Sequence, residues 1–232
     1  MLEIRAILFD FGKTLIDYNL ELIARGLAQV ARIAPEDVFY ILARDEKRGR
    51  TLMDLHERGL IVDENLKTEV KCALIERVIA LRGKRGIGIG AIDGLSDEKF
   101  WEIWNEMFGP RDPLCETYIK RLRDAGYYLG IISNINPAHK AFVLKRFKLL
   151  LDLLHDFTAS CDPDVQSRKP EAKIFRVAFS KSGVPPEQTI FVDDMPENVK
   201  AVQPFGVHGI VAKTMSQIFA DLKYKYGVGV GA

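Results

Sequence analysis

Asp10, Ser133, Asn134, Lys169, Asp193, Asp194 and Asn198 are the residues of this 232-residue chain whose types and placing suit chemistry. Asp10 ends an apolar run at 4–9, and Ser133-Asn134 end another at 127–132. Lys169-Pro170 follow a weaker run at 156–160. Asp193-Asp194 end a run at 189–192, with Asn198 one turn into the segment that follows. If these runs are neighbouring strands, their ends share one crevice holding three carboxylates and one ammonium. Crowded carboxylates repel one another unless a cation lies between them. Oxygen donors of this kind suit Mg2+, which takes few carboxylates and keeps several waters. A phosphate bridging metal, lysine and serine hydroxyl would then meet the requirements of phosphoryl transfer, with a carboxylate as nucleophile.

The elements that must position these residues are legible in outline. The runs at 4–9, 127–132, 156–160, 189–192 and 208–212 read as buried strands. Helical periodicity lies between them at 114–125, 138–149, 172–182 and 197–205, with Gly126 and Gly183 where helix stops belong. Alternation of this sort predicts an α/β fold: a Rossmann-like parallel sheet core flanked by helices, with ligands at the carboxyl ends of the strands. Residues 17–112 differ. They carry helical patterns at 20–33, 35–47, 64–81 and 97–108 and no convincing strand, so they read as an inserted α-helical cap domain. Phe100, Trp101, Trp104 and Phe108 have helical spacing and are assigned to the cap core. The expected division is 1–16 with 113–226 as core, 17–112 as cap and 227–232 as a flexible tail.

Composition narrows the classes. A net charge of +1 with 47% hydrophobic and 28% charged residues excludes wholesale disorder, and it argues against a nucleic-acid binder held by phosphate contacts. The apolar run at 149–154 is too short for a membrane span and contains Asp152. Glu3, Arg5 and Asp10 interrupt any signal-peptide core. Cys72, Cys115 and Cys161 form no CxxC pair and read as reduced thiols, so a soluble cytoplasmic protein is expected. Two motifs are decoys. Gly12-Lys13-Thr14 imitates the end of a P-loop, but the required upstream glycine is Ile7, inside a strand. Gly86, Gly88 and Ala91 imitate a dinucleotide fingerprint, but they follow a helix and the basic run 82–85.

In order and spacing the four motifs resemble the haloacid dehalogenase superfamily, the aspartate-nucleophile hydrolases. The match runs through Ile7-Leu8-Phe9-Asp10-Phe11-Gly12-Lys13-Thr14-Leu15, Ile131-Ile132-Ser133-Asn134, Arg168-Lys169-Pro170-Glu171 and Val192-Asp193-Asp194-Met195-Pro196-Glu197-Asn198. The stretch from Ser133 to His139 looks most like the sugar-1-phosphatase-like group. The resemblance implies a magnesium-dependent phosphatase of a small phosphorylated metabolite. Asp10 would form an aspartyl-phosphate, and the Gly12 carbonyl would bind Mg2+. Thr14 would support the turn at the substrate. Ser133 and the Asn134 N–H would hold phosphate oxygens. Lys169 would offset negative charge. Asp194 would ligate Mg2+, Asp193 would do so directly or through water, and Asn198 would brace them.

One departure stands out. Most phosphatases of this superfamily carry a second Asp two residues after the nucleophile as general acid and base, and here that residue is Gly12. Its loss bears on a contribution of about 10²–10⁴-fold. Three accounts fit: leaving groups that need little protonation; another donor such as Lys13, Asp17 or His139; or a protein that only binds. A 2-haloacid dehalogenase, which alkylates its Asp without a metal, is the enzymatic rival.

Overall fold

In the computed structural model the described residues are 3–45, 49–83 and 88–229. Among them the strands are β1 (Ala6–Phe9), β2 (Ile16–Tyr18), β3 (Phe108–Arg111), β4 (Tyr128–Ser133), β5 (Asp156–Ala159), β6 (Thr189–Asp193) and β7 (His208–Val211). Five make one sheet in the order β5-β4-β1-β6-β7, and every pairing in it is parallel. Parallel sheets are covered on both faces, and the central strand accordingly buries all four of its residues. The protein is thus α/β, with a Rossmann-like core.

Register places the site. Phe9 is level with Ile131 of β4 and Val192 of β6. Asp10 and Asp193, each one step further along, therefore leave adjacent strands at the same height.

The helices, in chain order, are α1 (Glu21–Ala31), α2 (Pro35–Ala43), α3 (Leu52–Glu57), α4 (Asp63–Arg82), α5 (Ile89–Asp93), α6 (Asp97–Asn105), α7 (Cys115–Asp124), α8 (Pro137–Arg146), α9 (Lys148–Leu151), α10 (Ala172–Ser182), α11 (Pro196–Val202) and α12 (Met215–Tyr226). Gly183, at φ 63°, ends α10 in the left-handed conformation that glycine adopts without steric cost. Phe175 of α10 meets Phe191 of β6 edge-on at 5.5 Å, in a core shared with Leu8, Ile132, Ile174, Ala178 and Val202. Burying each of the phenylalanine, leucine, isoleucine and valine side chains among them contributes about 1.5–3 kcal/mol. Two predicted helices are shorter than expected. The 138–149 segment breaks at Phe147 into α8 and α9, and 197–205 finishes as a 3-10 turn at Gln203–Phe205.

The described residues divide into two compact units, one running to Asp17 and resuming at Pro110, the other Tyr18–Gly109. The second contains α1 to α6. Phe100 and Trp104 stack at 5.6 Å with both rings fully buried, while Trp101 is only half-buried. Ser96 and Thr51 cap α6 and α3 by accepting the N–H groups of Lys99 and Asp54. A Cβ at Gly26 would lie 2.6 Å from Ile103, so the missing side chain is what lets α1 and α6 meet.

The sequence predicts no strand between 17 and 112, yet β2 and β3 form there and pair with each other in a two-stranded ribbon. They carry the chain out of the sheet-bearing unit and back into it. α3, six residues long, is also absent from the sequence reading. The expected flexible tail is held at its start. Gly227 ends α12 at φ 67°, the Val228 N–H donates to Leu222 O at 3.0 Å, and the Val228 side chain is buried. Residues 84–87 of the glycine-rich break, with Lys84 and Arg85, lie outside the described residues.

Candidate active site

β1 stops just before Asp10 because the chain turns at once. Lys13 takes a left-handed conformation, φ 61°, and its N–H donates to Ile16 O at 2.7 Å, while Leu15 N–H donates to Phe11 O at 3.0 Å. The Asp10 N–H is fixed to Val192 O of β6 at 2.7 Å. Asp10 is thereby set on the carboxyl edge of the sheet between β4 and β6.

Lys169 comes from the loop between β5 and α10, and its ammonium joins the strand ends. Nζ donates to Asp10 Oδ1 at 2.5 Å and to Asp193 Oδ2 at 2.7 Å. All three groups are buried, Asp193 completely. Asp193 accepts further hydrogen bonds from the Met195 N–H at 2.8 Å and from Asn198 Nδ2 at 3.0 and 3.1 Å. Asn198 is presented by the first turn of α11, just past Pro196.

Burial pushes the Asp10 carboxyl up to about 6, with the Asp193 charge adding to the rise and the Lys169 ammonium opposing it. Burial alone would lower Lys169, but the two carboxylates outweigh it and hold the ammonium above its ordinary value. Asp194 is half-buried. Burial first, then Asp193, raise its carboxyl, against the opposing charges of Lys13 and Lys169. Ligand atoms of Asp10, Asp193 and Asp194 lie within 4.8 Å of one another. Two negative charges 4 Å apart cost about 4 kcal/mol at an effective dielectric constant of 20. One lysine does not neutralise three carboxylates. All-oxygen donors, one of them outside any ion pair among the described residues, fit a hard divalent cation such as Mg2+.

Ser133 closes β4 and is buried beside this edge. The loop after it is held twice. Ile135 N–H donates to Ser160 Oγ at 2.9 Å, and that hydroxyl donates to Ile135 O at 3.1 Å. Asn136 then caps α8 through the His139 N–H at 2.8 Å. Asn136 Nδ2 also lies 2.8 Å from Nδ1 of the buried His139.

Not every predicted site residue enters the cluster. Gly12 forms a bridge to Ile16. The Thr14 hydroxyl is buried without a hydrogen-bond partner among the described residues. Thr14 lines a cleft of about 180 Å³ with Lys13, Asp17, Asp112 and Lys213. The side chain of Asn134, which the sequence reading places at the phosphate through its N–H alone, pairs with the main chain of Lys169: Nδ2 donates to Lys169 O at 3.1 Å, and Oδ1 accepts the Lys169 N–H at 2.8 Å. No sequence pattern announces a contact across 35 positions.

Comparison with known proteins finds relatives of the chain and of its fold. Part of the chain, 98 residues, is 30% identical to (S)-2-haloacid dehalogenase 4A of Burkholderia cepacia, covering 42% of this chain and 41% of that protein, so the chain spans less than half of its length. A predicted HAD-like family hydrolase from Porphyromonas gingivalis has a similar structure, with TM-score 0.72, 25% identity and coverage of 95% and 98% of the two chains. A HAD family enzyme from Bacteroides thetaiotaomicron, solved with magnesium and inorganic phosphate, shares the fold at TM-score 0.68 and 21% identity, covering 93% and 99%. L-2-haloacid dehalogenase from Xanthobacter autotrophicus, with chloropropionic acid covalently bound, does so at TM-score 0.55 and 16% identity, covering 97% and 84%. The model of the haloacid dehalogenase-like hydrolases matches residues 4–206, from the strand that carries Asp10 to beyond the helix that carries Asn198. With that span the chain belongs to the haloacid dehalogenase-like hydrolase family.

Proposed function

We propose that the protein is a magnesium-dependent phosphomonoester hydrolase of a small phosphorylated metabolite, working through an aspartyl-phosphate on Asp10. The observation that carries this reading is a cluster of three carboxylates with a single ammonium that bonds two of them, a set whose charge calls for a further cation. Asp10 and Asp194, with the Gly12 carbonyl, would hold Mg2+, which when bound offsets the charge of the transferring phosphoryl group. Asp193, bonded to Lys169, Met195 and Asn198, would support them directly or through water.

The chain's own residues do the rest. An Asp10 oxygen attacks phosphorus, and the bond to the leaving oxygen breaks. Lys169 balances the negative charge gathered on Asp10 and the phosphoryl oxygens. The Ser133 hydroxyl and the Asn134 N–H orient those oxygens. Water then attacks the aspartyl-phosphate, releasing phosphate and restoring Asp10. Gly12 has no side chain with which to protonate the leaving oxygen, so weakly basic leaving groups are favoured. The unit Tyr18–Gly109 is the proposed cap that selects the substrate. Three free cysteines support a reducing compartment, and we assign the protein to the cytoplasm.

A second reading, 2-haloacid dehalogenase, is favoured by Gly12 and by the likeness to the Burkholderia cepacia enzyme. There Asp10 would displace halide from carbon, and water would hydrolyse the ester. The test is a phosphate-release screen over small phosphoesters with and without Mg2+, run beside halide release from 2-chloropropionate. Mg2+-dependent phosphate release supports the first reading. Halide release without phosphate release replaces it with the second.

A further inference from the structure

We propose that Asn134 is a positioning residue that acts through Lys169. The Lys169 ammonium must stand between the ends of β1 and β6, 2.5 Å from Asp10 and 2.7 Å from Asp193. It hangs on a long side chain from a loop rather than from a strand or helix. Its place is therefore set by where its main chain is anchored. Both main-chain polar atoms of Lys169 are held by one amide: the Lys169 N–H donates to Asn134 Oδ1 at 2.8 Å, and Asn134 Nδ2 donates to Lys169 O at 3.1 Å. Two bonds from one planar group fix orientation as well as distance.

The anchor itself stands on fixed ground. Asn134 directly follows Ser133, the last residue of β4, and the next residue, Ile135, exchanges two hydrogen bonds with the Ser160 hydroxyl. The same short segment thus presents the Ser133 hydroxyl and locates the Lys169 ammonium. Misplacing a reacting-site group by about 1 Å costs on the order of 10²-fold in rate. Releasing the clamp should therefore slow the chemical step while leaving substrate affinity nearly unchanged.

The turnover arm of the test rests on the proposed function; the structural arm does not. Asn134→Ala, Asn134→Asp, Lys169→Gln and the double variant Asn134→Ala/Lys169→Gln are assayed on p-nitrophenyl phosphate with Mg2+, with circular dichroism to check the fold. Asn134→Ala should lower kcat by roughly 10²-fold and change KM by less than about threefold. Asn134→Asp, which keeps the acceptor for the Lys169 N–H, should lose less. In the Lys169→Gln background, Asn134→Ala should change kcat by less than about threefold, because groups acting through one another are not additive. Additive losses would overturn the proposal. A crystal structure of Asn134→Ala should show the Lys169 ammonium away from at least one of its two carboxylates, and an ammonium in its present place would also overturn it. A wild type with no phosphatase rate would count against the proposed function, and the crystal structure would still decide the role of Asn134.

Discussion

Asp193 is fully buried, yet it holds the Lys169 ammonium at 2.7 Å and takes three further hydrogen bonds from Met195 and Asn198. Its oxygens are committed to the protein, whereas Asp194 makes no ion pair among the described residues. The adjacent acids therefore divide the work. Asp194→Asn should weaken Mg2+ binding at least ~10-fold with little change in Tm. Asp193→Asn weakens the hydrogen bonds from Lys169 and Met195, but Asp10 still pairs with the ammonium, so the loss is about 1.5–3 kcal/mol and the Tm should drop by roughly 3–12 °C. Titration calorimetry and thermal melts distinguish the pair; equal effects on Mg2+ from both would show that the acids do not divide in this way.

Asp10→Asn keeps the shape and an acceptor for Lys169 but removes the nucleophile. Turnover should fall to background while the circular dichroism spectrum is unchanged. A wild-type phosphatase rate in this variant would exclude the aspartyl-phosphate.

Mg2+ binding should depend on pH. Burial raises both Asp10, to about 6, and Asp194, so below that region the metal must displace protons. The sign is that affinity rises as pH rises through about 6 and levels off above it, by up to about tenfold per pH unit for each proton released. Calorimetry at pH 5, 6 and 7.5, in buffers of different ionisation enthalpy, counts those protons. An affinity flat across this range would contradict the assignment of these two ligands.

Gly12 sets the leaving-group dependence. Aryl, acyl or anomeric phosphates should be hydrolysed faster than alkyl phosphates, by up to about 10⁴-fold where protonation limits the rate. Gly12→Asp should flatten that dependence. The left-handed position in this turn belongs to Lys13 and not to Gly12, so the backbone conformation at Gly12 does not itself oppose a side chain. Rates on esters of graded leaving-group pKa, measured on both forms, provide the check. A flat dependence in the wild type would point to another donor, with His139, Asp17 and Lys13 the next to replace.

The sheet and its polar edge were readable because buried parallel strands are apolar runs that stop sharply, as at Asp10, Ser133 and Asp193. β2 and β3 were not. Three residues, Ile16–Tyr18, are too few for alternation to register, and Phe108–Arg111 contains glycine and proline. Their pairing is a property of the ribbon, not of either segment. Val228 was hidden by its setting, since a glycine-rich terminus reads as frayed while a single valine inserts. The Asn134–Lys169 clamp lies beyond any local pattern, because its partners meet only once β4 and the loop before α10 have been folded.

The β2–β3 ribbon has an architectural consequence. The chain leaves the sheet-bearing unit at Asp17 and re-enters at Pro110 through two strands that lie side by side. To the sheet, the whole helical unit is topologically one long connection. Closure entropy grows only with the logarithm of loop length, so material between the strands can lengthen, shrink or be exchanged at a cost of about 0.6 kcal/mol per doubling. A short turn joining β2 to β3 in place of the helical unit should therefore leave a sheet that still folds and still carries Asp10, Ser133, Lys169 and Asp193.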